Sequence, residues 1–455
     1  MPELNEYFRR AKDISKDELY DIAKKFFQKY VDQDKNIIVM LAADSIFTYF
    51  QDVFPATHYS ECVGGNDVGK SSIGYTFAYT GYRVVRGTSI SGANYTRILG
   101  SIEPGQCVII EDEGDMISED PVKVGILKAG YEYDMRVPKT NMNTKNQETN
   151  WFFPYCYKMV LAEKSLSSWK AKGLVDRTFT YQCRPGKVNY SIKKVVSQTI
   201  NKSPELERQY NELLDFRKLM LCYRLIHYSD DLPQIRVNVR NRDEELSFPH
   251  LQLFYGTKSF EEIKTAMALF LKQRRRRRGR SLEAAMYPLL KEMIAKRTNF
   301  TADNPKLVNV LYSDIWERVT TGTAEERPIK GNLVNDYQYE TRDHNVIYQN
   351  TFSKFIADKF SAEIRPSNKG SMLTFDIFDF ENYDSLYNHG IAENDPDVVI
   401  EVTLDESYSY SAIDTEQSTS QSSEGSEGSR DAYDNFKDEN NRENNNNNTN
   451  TPPEP

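Results

Sequence analysis

At 455 residues the chain exceeds one ordinary hydrophobic core and calls for two or three packed units. Its net charge of −9 gathers in residues 401–455, where thirteen acidic residues face only Arg430, Lys437 and Arg442; residues 1–400 therefore sum to about +1, and a polyanionic partner for the body is not excluded. No run approaches about eighteen apolar residues, the N-terminus is too charged for a signal peptide, and five cysteines and five histidines form no CxxC pair or local cluster, so a membrane span, a secretory leader, a zinc ribbon and a disulfide framework are all unexpected in what reads as a soluble cytoplasmic protein with free thiols.

In chain order, Leu19, Ile22, Ala23, Phe26, Phe27 and Tyr30 recur at helical spacing and predict an amphipathic helix within an N-terminal segment spanning 1–40. A second helix follows in NIIVMLAADSIFTYFQDVF, closed by Pro55, and HYSECV is a half-polar strand. YRVVRGTSI, QCVIIEDE, YCYKMVLAE and RTFTYQC read as further strands, separated by helical ANYTRILGSI and SLSSWKAKGL. Alternating strands and helices over 41–200 predict an α/β fold with a mainly parallel sheet and its chemistry at the strand carboxyl ends. Residues 201–300 read as a charged helical lid or linker. Over 301–385, helices followed by two strands around an Asn-Lys-Gly turn suggest a winged helix, and 400–455 is a disordered, acidic, Asn-rich tail.

The stretch ECVGGNDVGKSS satisfies G-x-x-x-x-G-K-[ST], with a strand before it and a helix after it. Gly64, Gly65, Asn66, Asp67, Val68, Gly69, Lys70, Ser71 and Ser72 would cradle a triphosphate: glycines let backbone N–H groups converge on phosphate oxygens, Lys70 reaches the β and γ phosphates, and Ser71 can ligate Mg2+. A Gly-rich turn is the plain alternative. About forty residues on, an apolar strand delivers Glu111, Asp112 and Glu113. One acid beside such a loop would hold magnesium and another polarise the attacking water, assigned to Asp112 and Glu113; Glu111 leaves the register open by one residue. ATP and Mg2+ are the implied ligands.

Taken together, these stretches resemble the AAA+ class of P-loop ATPases, in particular the superfamily-3-like helicases associated with primases in archaea, phages and mobile elements. IFTYFQDVFPATHYSECVGGNDVGKSS is similar to that group's entry into the P-loop, ANYTRILGSIEPGQCVIIEDEGD to its helix and acidic strand, and ILKAGYEYDMRVPK to the segment beyond. In LVDRTFTYQCRPG the resemblance makes Arg177 an arginine finger acting on the nucleotide of the next subunit, which implies a ring, taken as a hexamer, or a filament; a salt bridge to Asp176 is the alternative. It puts sensor 1 among Glu163, Lys164 and Ser165, without the usual Asn, and makes Arg242 a candidate sensor 2. The first forty residues are too few for a primase domain.

Five consecutive arginines, Arg274, Arg275, Arg276, Arg277 and Arg278, could anchor DNA through phosphates; a solvated helix end or a clasp for the acidic tail would use them equally well. In the winged-helix segment Asn350, Ser353, Lys354 and Lys359 lie on the second helix, with Arg365 and Lys369 about the wing, for DNA or for protein. Trp151, Phe152, Phe153 and Tyr155 are expected in the core, and Arg136, Lys139 and Lys145 in a hairpin or loop that could face a ring's pore. The function implied is an ATP-hydrolysing DNA translocase or helicase in replication or mobile-element maintenance; the alternative is an ATP-dependent switch or scaffold that recruits partners through the winged helix.

Overall fold

The chain begins with α1 (Pro2–Asp13), α2 (Lys16–Tyr30) and α3 (Lys35–Phe47). Ser15 and Glu18 cap the start of α2 reciprocally, each side chain serving the other's backbone N–H. α3 shows no amphipathic face, and its residues from Ile37 to Phe47, Asp44 and Ser45 included, are all buried, as a helix without a polar face must be. The structure, a computed structural model, describes residues 2–140, 149–166, 171–188, 190–199, 201–239, 241–279, 282–297, 307–319, 324–329, 332–340, 346–368, 370–381, 383 and 398–405. The chain divides into two units, Met1–Thr403 and Leu404–Pro455. The first unit holds the cores and the large sheet, and almost all of the acidic tail lies outside the described residues.

β1 (Tyr59–Val63) leads into α4 (Lys70–Thr80), followed by β2 (Val84–Thr88), α5 (Gly92–Leu99), β3 (Val108–Asp112) and α6 (Pro121–Ala129). A hairpin of β4 (Val137–Thr140) and β5 (Thr149–Phe152) comes next, then β6 (Lys158–Ala162), α7 (Lys172–Val175) and β7 (Thr178–Gln182). β1, β2, β3, β6 and β7 form one parallel sheet in the order β2-β3-β6-β1-β7. The molecule is thus mixed α/β around a five-stranded parallel sheet. Such a sheet needs cover on both faces. One face carries Val108, Ile110, Met159, Leu161 and Cys62 against Ile73 and Phe77 of α4, in a core that also takes residues from α2, α3 and α9 (Pro204–His227). The other carries Tyr59, Ile109 and Val160 against Tyr95 and Leu99 of α5 and Val124 and Leu127 of α6.

After β7, α8 (Ile192–Val196) and α9 precede the short β8 (Ile235–Val237), and α10 (Arg242–Phe254), α11 (Phe260–Gly279) and α12 (Leu282–Arg297) follow. A second apolar core lies beyond, under β9 (Leu307–Leu311), α13 (Tyr312–Val319), α14 (Gln349–Lys359), β14 (Gly370–Asp376) and α15 (Ile377–Glu381), with α12 contributing Tyr287 and Leu290. β13 (Glu363–Ser367) pairs with β14, and β14 pairs with β9. Sequence pattern does not announce β9, nor the antiparallel β10 (Ala324–Ile329), β11 (Asn332–Glu340) and β12 (Val346–Tyr348) between α13 and α14. Their alternation is diluted by charged and amide residues that hide the strand period.

Phe152 and Tyr155 are buried as expected, but Trp151 is 60% exposed. It sits on a two-stranded hairpin, where the pleat turns alternate side chains outward. Arg136 stacks over Phe153 at 4.8 Å, and Lys145 lies outside the described residues.

Candidate nucleotide site

The loop between β1 and α4 follows directly from its glycines. At Gly64 a Cβ would stand 2.9 Å from both the Cys183 carbonyl oxygen and Val68, so only glycine lets the chain turn there against the end of β7. Gly69 adopts φ 86°, a left-handed conformation, and occupies the N-cap of α4 with no side chain to cap it. The first N–H groups of α4 therefore open onto the loop, an arrangement suited to an anion. Asp67, also left-handed at φ 62°, belongs to the short polar class that tolerates this region. Lys70 folds back over the loop, its Nζ donating to the carbonyls of Gly64 and, at 2.7 Å, Gly65.

The loop has an anchor that sequence reasoning missed. Gln33, buried at the junction of α2 and α3, donates through Nε2 to the carbonyls of Val68 (2.8 Å) and Arg184 (3.0 Å), while its Oε1 accepts from the Arg184 N–H (3.0 Å). One amide thus ties the crest of the loop to the chain after β7. Beneath it, the Cys183 N–H donates to the Val63 carbonyl at 2.7 Å. The Cys183 thiol is held below its usual range, first by a hydrogen bond from Cys62 and further by nearby Lys70.

The acids at the end of β3 divide by face. Asp112 follows Val108 and Ile110 in the two-residue period and so points to the α4 side; Glu111 points to the other. There Glu111 is fully engaged, receiving Lys123 Nζ at 2.6 Å and the Tyr95 hydroxyl at 2.8 Å. The one-residue ambiguity is a difference of face, and Glu111 is on the face away from the loop. Asp112 pairs in register with Leu161 and Leu161 with Cys62, so the acid and the loop stand at the same edge, one strand intervening, about 10 Å apart between backbones. Asp112 forms an ion pair with Arg86 of β2, whose guanidinium lies 3.8 Å over the Tyr75 ring. Arg86 is a second residue that the sequence does not single out. Glu113 is exposed, at φ 57°, just past the strand.

The intervening strand, β6, is followed by Glu163, Lys164 and Ser165, all exposed between the loop and the acids. Asp115 fixes this edge by accepting the N–H groups of Glu163 (2.9 Å) and Lys164 (2.8 Å).

Arg177 and Arg242 stand elsewhere. Arg177 immediately precedes β7, its carbonyl accepting from the Tyr59 N–H at 2.9 Å, and thus lies at the opposite end of the sheet from the loop. The four-residue rise from Tyr59 to Val63 separates them by about 13 Å. Its guanidinium donates to the Gly173 carbonyl and stacks 4.1 Å from the centre of Tyr131. Arg242 stacks on the same ring at 4.4 Å and pairs with Glu245.

The arginine run is split by its surroundings. Arg274 is 3% exposed, ion-paired with Asp243 of α10 and donating to the Asp176 carbonyl at 2.6 Å, so it clamps α11 to α10 and to the turn before β7 and is withdrawn from any external phosphate. Arg275 shares Asp243 at 2.7 Å while remaining half exposed, and Arg276 is exposed. The side chains of Arg277 and Arg278, and Lys369, lie outside the described residues. Lys354 is exposed on α14, and Arg365 pairs with Glu363 on β13.

No family model and no curated protein matches the sequence. Solved structures do resemble it. They include the JCV helicase bound to a small acetamide compound (14% identity, TM-score 0.27, 60% of this chain and 70% of that one) and the apo NrS-1 C-terminal region (13%, 0.31, 78% and 75%). The active helicase Cch of SCCmec type IV is a third (10% identity, TM-score 0.32, 81% of this chain and 71% of that one). At such identities and scores, function rests on this chain's own residues.

Proposed function

We propose that this chain hydrolyses ATP and couples the hydrolysis to movement on DNA, as a helicase-like motor in replication or mobile-element maintenance. The observation that carries the reading is the placement of the Gly64–Ser72 loop and Asp112 at one edge and on one face of the parallel sheet. The residues suit a triphosphate: an uncapped helix N-terminus, a turn closed to any side chain at Gly64, and Lys70 on the crest. Ser71 and Asp112 would hold magnesium, which when bound offsets phosphate charge. Glu113, exposed beside that edge, orients and deprotonates the attacking water. Glu163, Lys164 or Ser165 lines the space between.

Arg177, too far along the sheet to serve its own loop, acts on that of a neighbouring copy, in a ring taken as hexameric. Arg275, Arg276, Arg277 and Arg278 contact DNA phosphates, joined by Lys354 and Lys369 of a winged helix built on residues 301–385. Arg274 is left out of that surface because it is buried.

The test is ATP hydrolysis by the full chain with and without single-stranded and duplex DNA, alongside strand displacement. DNA should stimulate turnover, and Lys70→Ala should abolish both activities. ATP-dependent partner binding with no stimulation by DNA would instead support the switch reading.

A further inference from the structure

Away from the loop, in the middle of the largest core, three side chains distant in sequence meet: Asp44 of α3, His58 just before β1, and His250 of α10. None has any solvent exposure. Asp44 Oδ1 lies 3.0 Å from His58 Nε2 and 2.9 Å from His250 Nε2. Its other oxygen, Oδ2, accepts from the hydroxyls of Tyr157 (2.7 Å), Tyr181 (3.2 Å) and Ser60 (3.3 Å). Three hydroxyls thus orient the carboxylate and leave Oδ1 to the imidazoles.

We propose that Asp44, His58 and His250 bind a zinc ion that pins the lid helix α10 to the base of the loop strand β1. Three observations lead there. His58 Nδ1 and His250 Nδ1 have no hydrogen-bond partner, and each ring turns its Nε2 toward Asp44 Oδ1. Next, among the described residues no lysine or arginine pairs with Asp44, so the cation that a buried carboxylate needs comes either from a protonated imidazole or from an ion held between the rings. Finally, two imidazoles bound to one ion at about 2.0–2.1 Å bring their ring centres roughly 5 Å apart. Those of His58 and His250 are 4.8 Å apart.

Two nitrogens and one carboxylate oxygen, without thiolate, form a set suited to zinc and poor for calcium or magnesium, which take oxygen ligands. The ligands come from residues 44, 58 and 250, and no spacing in the sequence announces them. Phe47 stacks on His250 at 4.4 Å and Phe179 lies 4.6 Å from His58, so the cluster is walled by rings with no solvent-exposed ligand.

The experiment is elemental analysis of the full chain, purified without a metal-affinity column and dialysed, followed by Co2+ titration of chelator-stripped protein. About one zinc per chain is expected, with a visible Co2+ absorption band in the stripped protein and a lower melting temperature after stripping. His250→Gln and Asp44→Asn should each lose the metal; should they fail to fold, the wild-type metal content alone decides. Metal-free wild-type protein that shows no Co2+ band and melts identically with and without chelator would overturn the proposal, leaving a hydrogen-bonded network.

Discussion

Replacing Gln33 by alanine removes the amide that holds the loop crest while leaving every residue of the Gly64–Ser72 loop in place. Three hydrogen bonds disappear, to the Val68 and Arg184 carbonyls and from the Arg184 N–H, at 2.8 to 3.0 Å. At about 1 kcal/mol net each, the loss is about 3 kcal/mol, a large share of the roughly 5–15 kcal/mol typical of a folded domain. The function should suffer separately. A released loop must be ordered by its ligand, and fixing one residue costs about 1–2 kcal/mol, so nucleotide affinity should fall roughly 5- to 30-fold. Urea unfolding gives the first number, through a lower midpoint at constant slope; titration with a fluorescent ATP analogue gives the second. Gln33→Glu, which keeps the acceptor but sets a buried carboxylate oxygen against the Val68 and Arg184 carbonyls, should be no better than alanine. An alanine variant with wild-type midpoint and affinity would refute the claim that Gln33 organises the loop.

Glu113→Gln should retain ATP yet hydrolyse it about 100- to 10,000-fold more slowly, read in a steady-state phosphate-release assay. Arg177→Ala should bind ATP normally and fail to turn it over, and mixing it with Lys70→Ala chains should restore some activity if the arginine serves a neighbour's site. Arg86→Ala should free Asp112 from its ion pair and lower the magnesium concentration needed for half-maximal hydrolysis. Among structural groups, Asp215 is held below the usual carboxylate range, chiefly by its hydrogen bond from Arg10. Its contribution to docking α1 on α9 is therefore complete above about pH 4 and lost as pH falls through its depressed value; Asp215→Asn should flatten the acid limb of a stability profile.

What the sequence exposes is what lies close together along it. The Gly64–Ser72 loop, the strand ending in acids and the Asn-Lys-Gly hairpin are each written within a dozen residues, and their local chemistry is specific. What it conceals is pairing. That β6 inserts between β1 and β3 follows from packing across a hundred residues, and with it the position of Glu163 between loop and acid. Gln33 looks like any surface amide until the chain after β7 closes on it. The arginine run reads as one cationic stripe, yet helix geometry turns Arg274 inward onto Asp243. Glu111 and Asp112, adjacent and alike, part company because a strand sends neighbours to opposite faces. Asp44, His58 and His250 come from three separate stretches of chain and show no spacing at all.

The most direct test compares ATP affinity of the wild type and Asp112→Asn, each with magnesium and with chelator. If Asp112 and the Lys70 loop share one metal-bound triphosphate, magnesium strengthens binding several-fold in the wild type and has little effect in the variant. An equal response to magnesium in both proteins would contradict that claim.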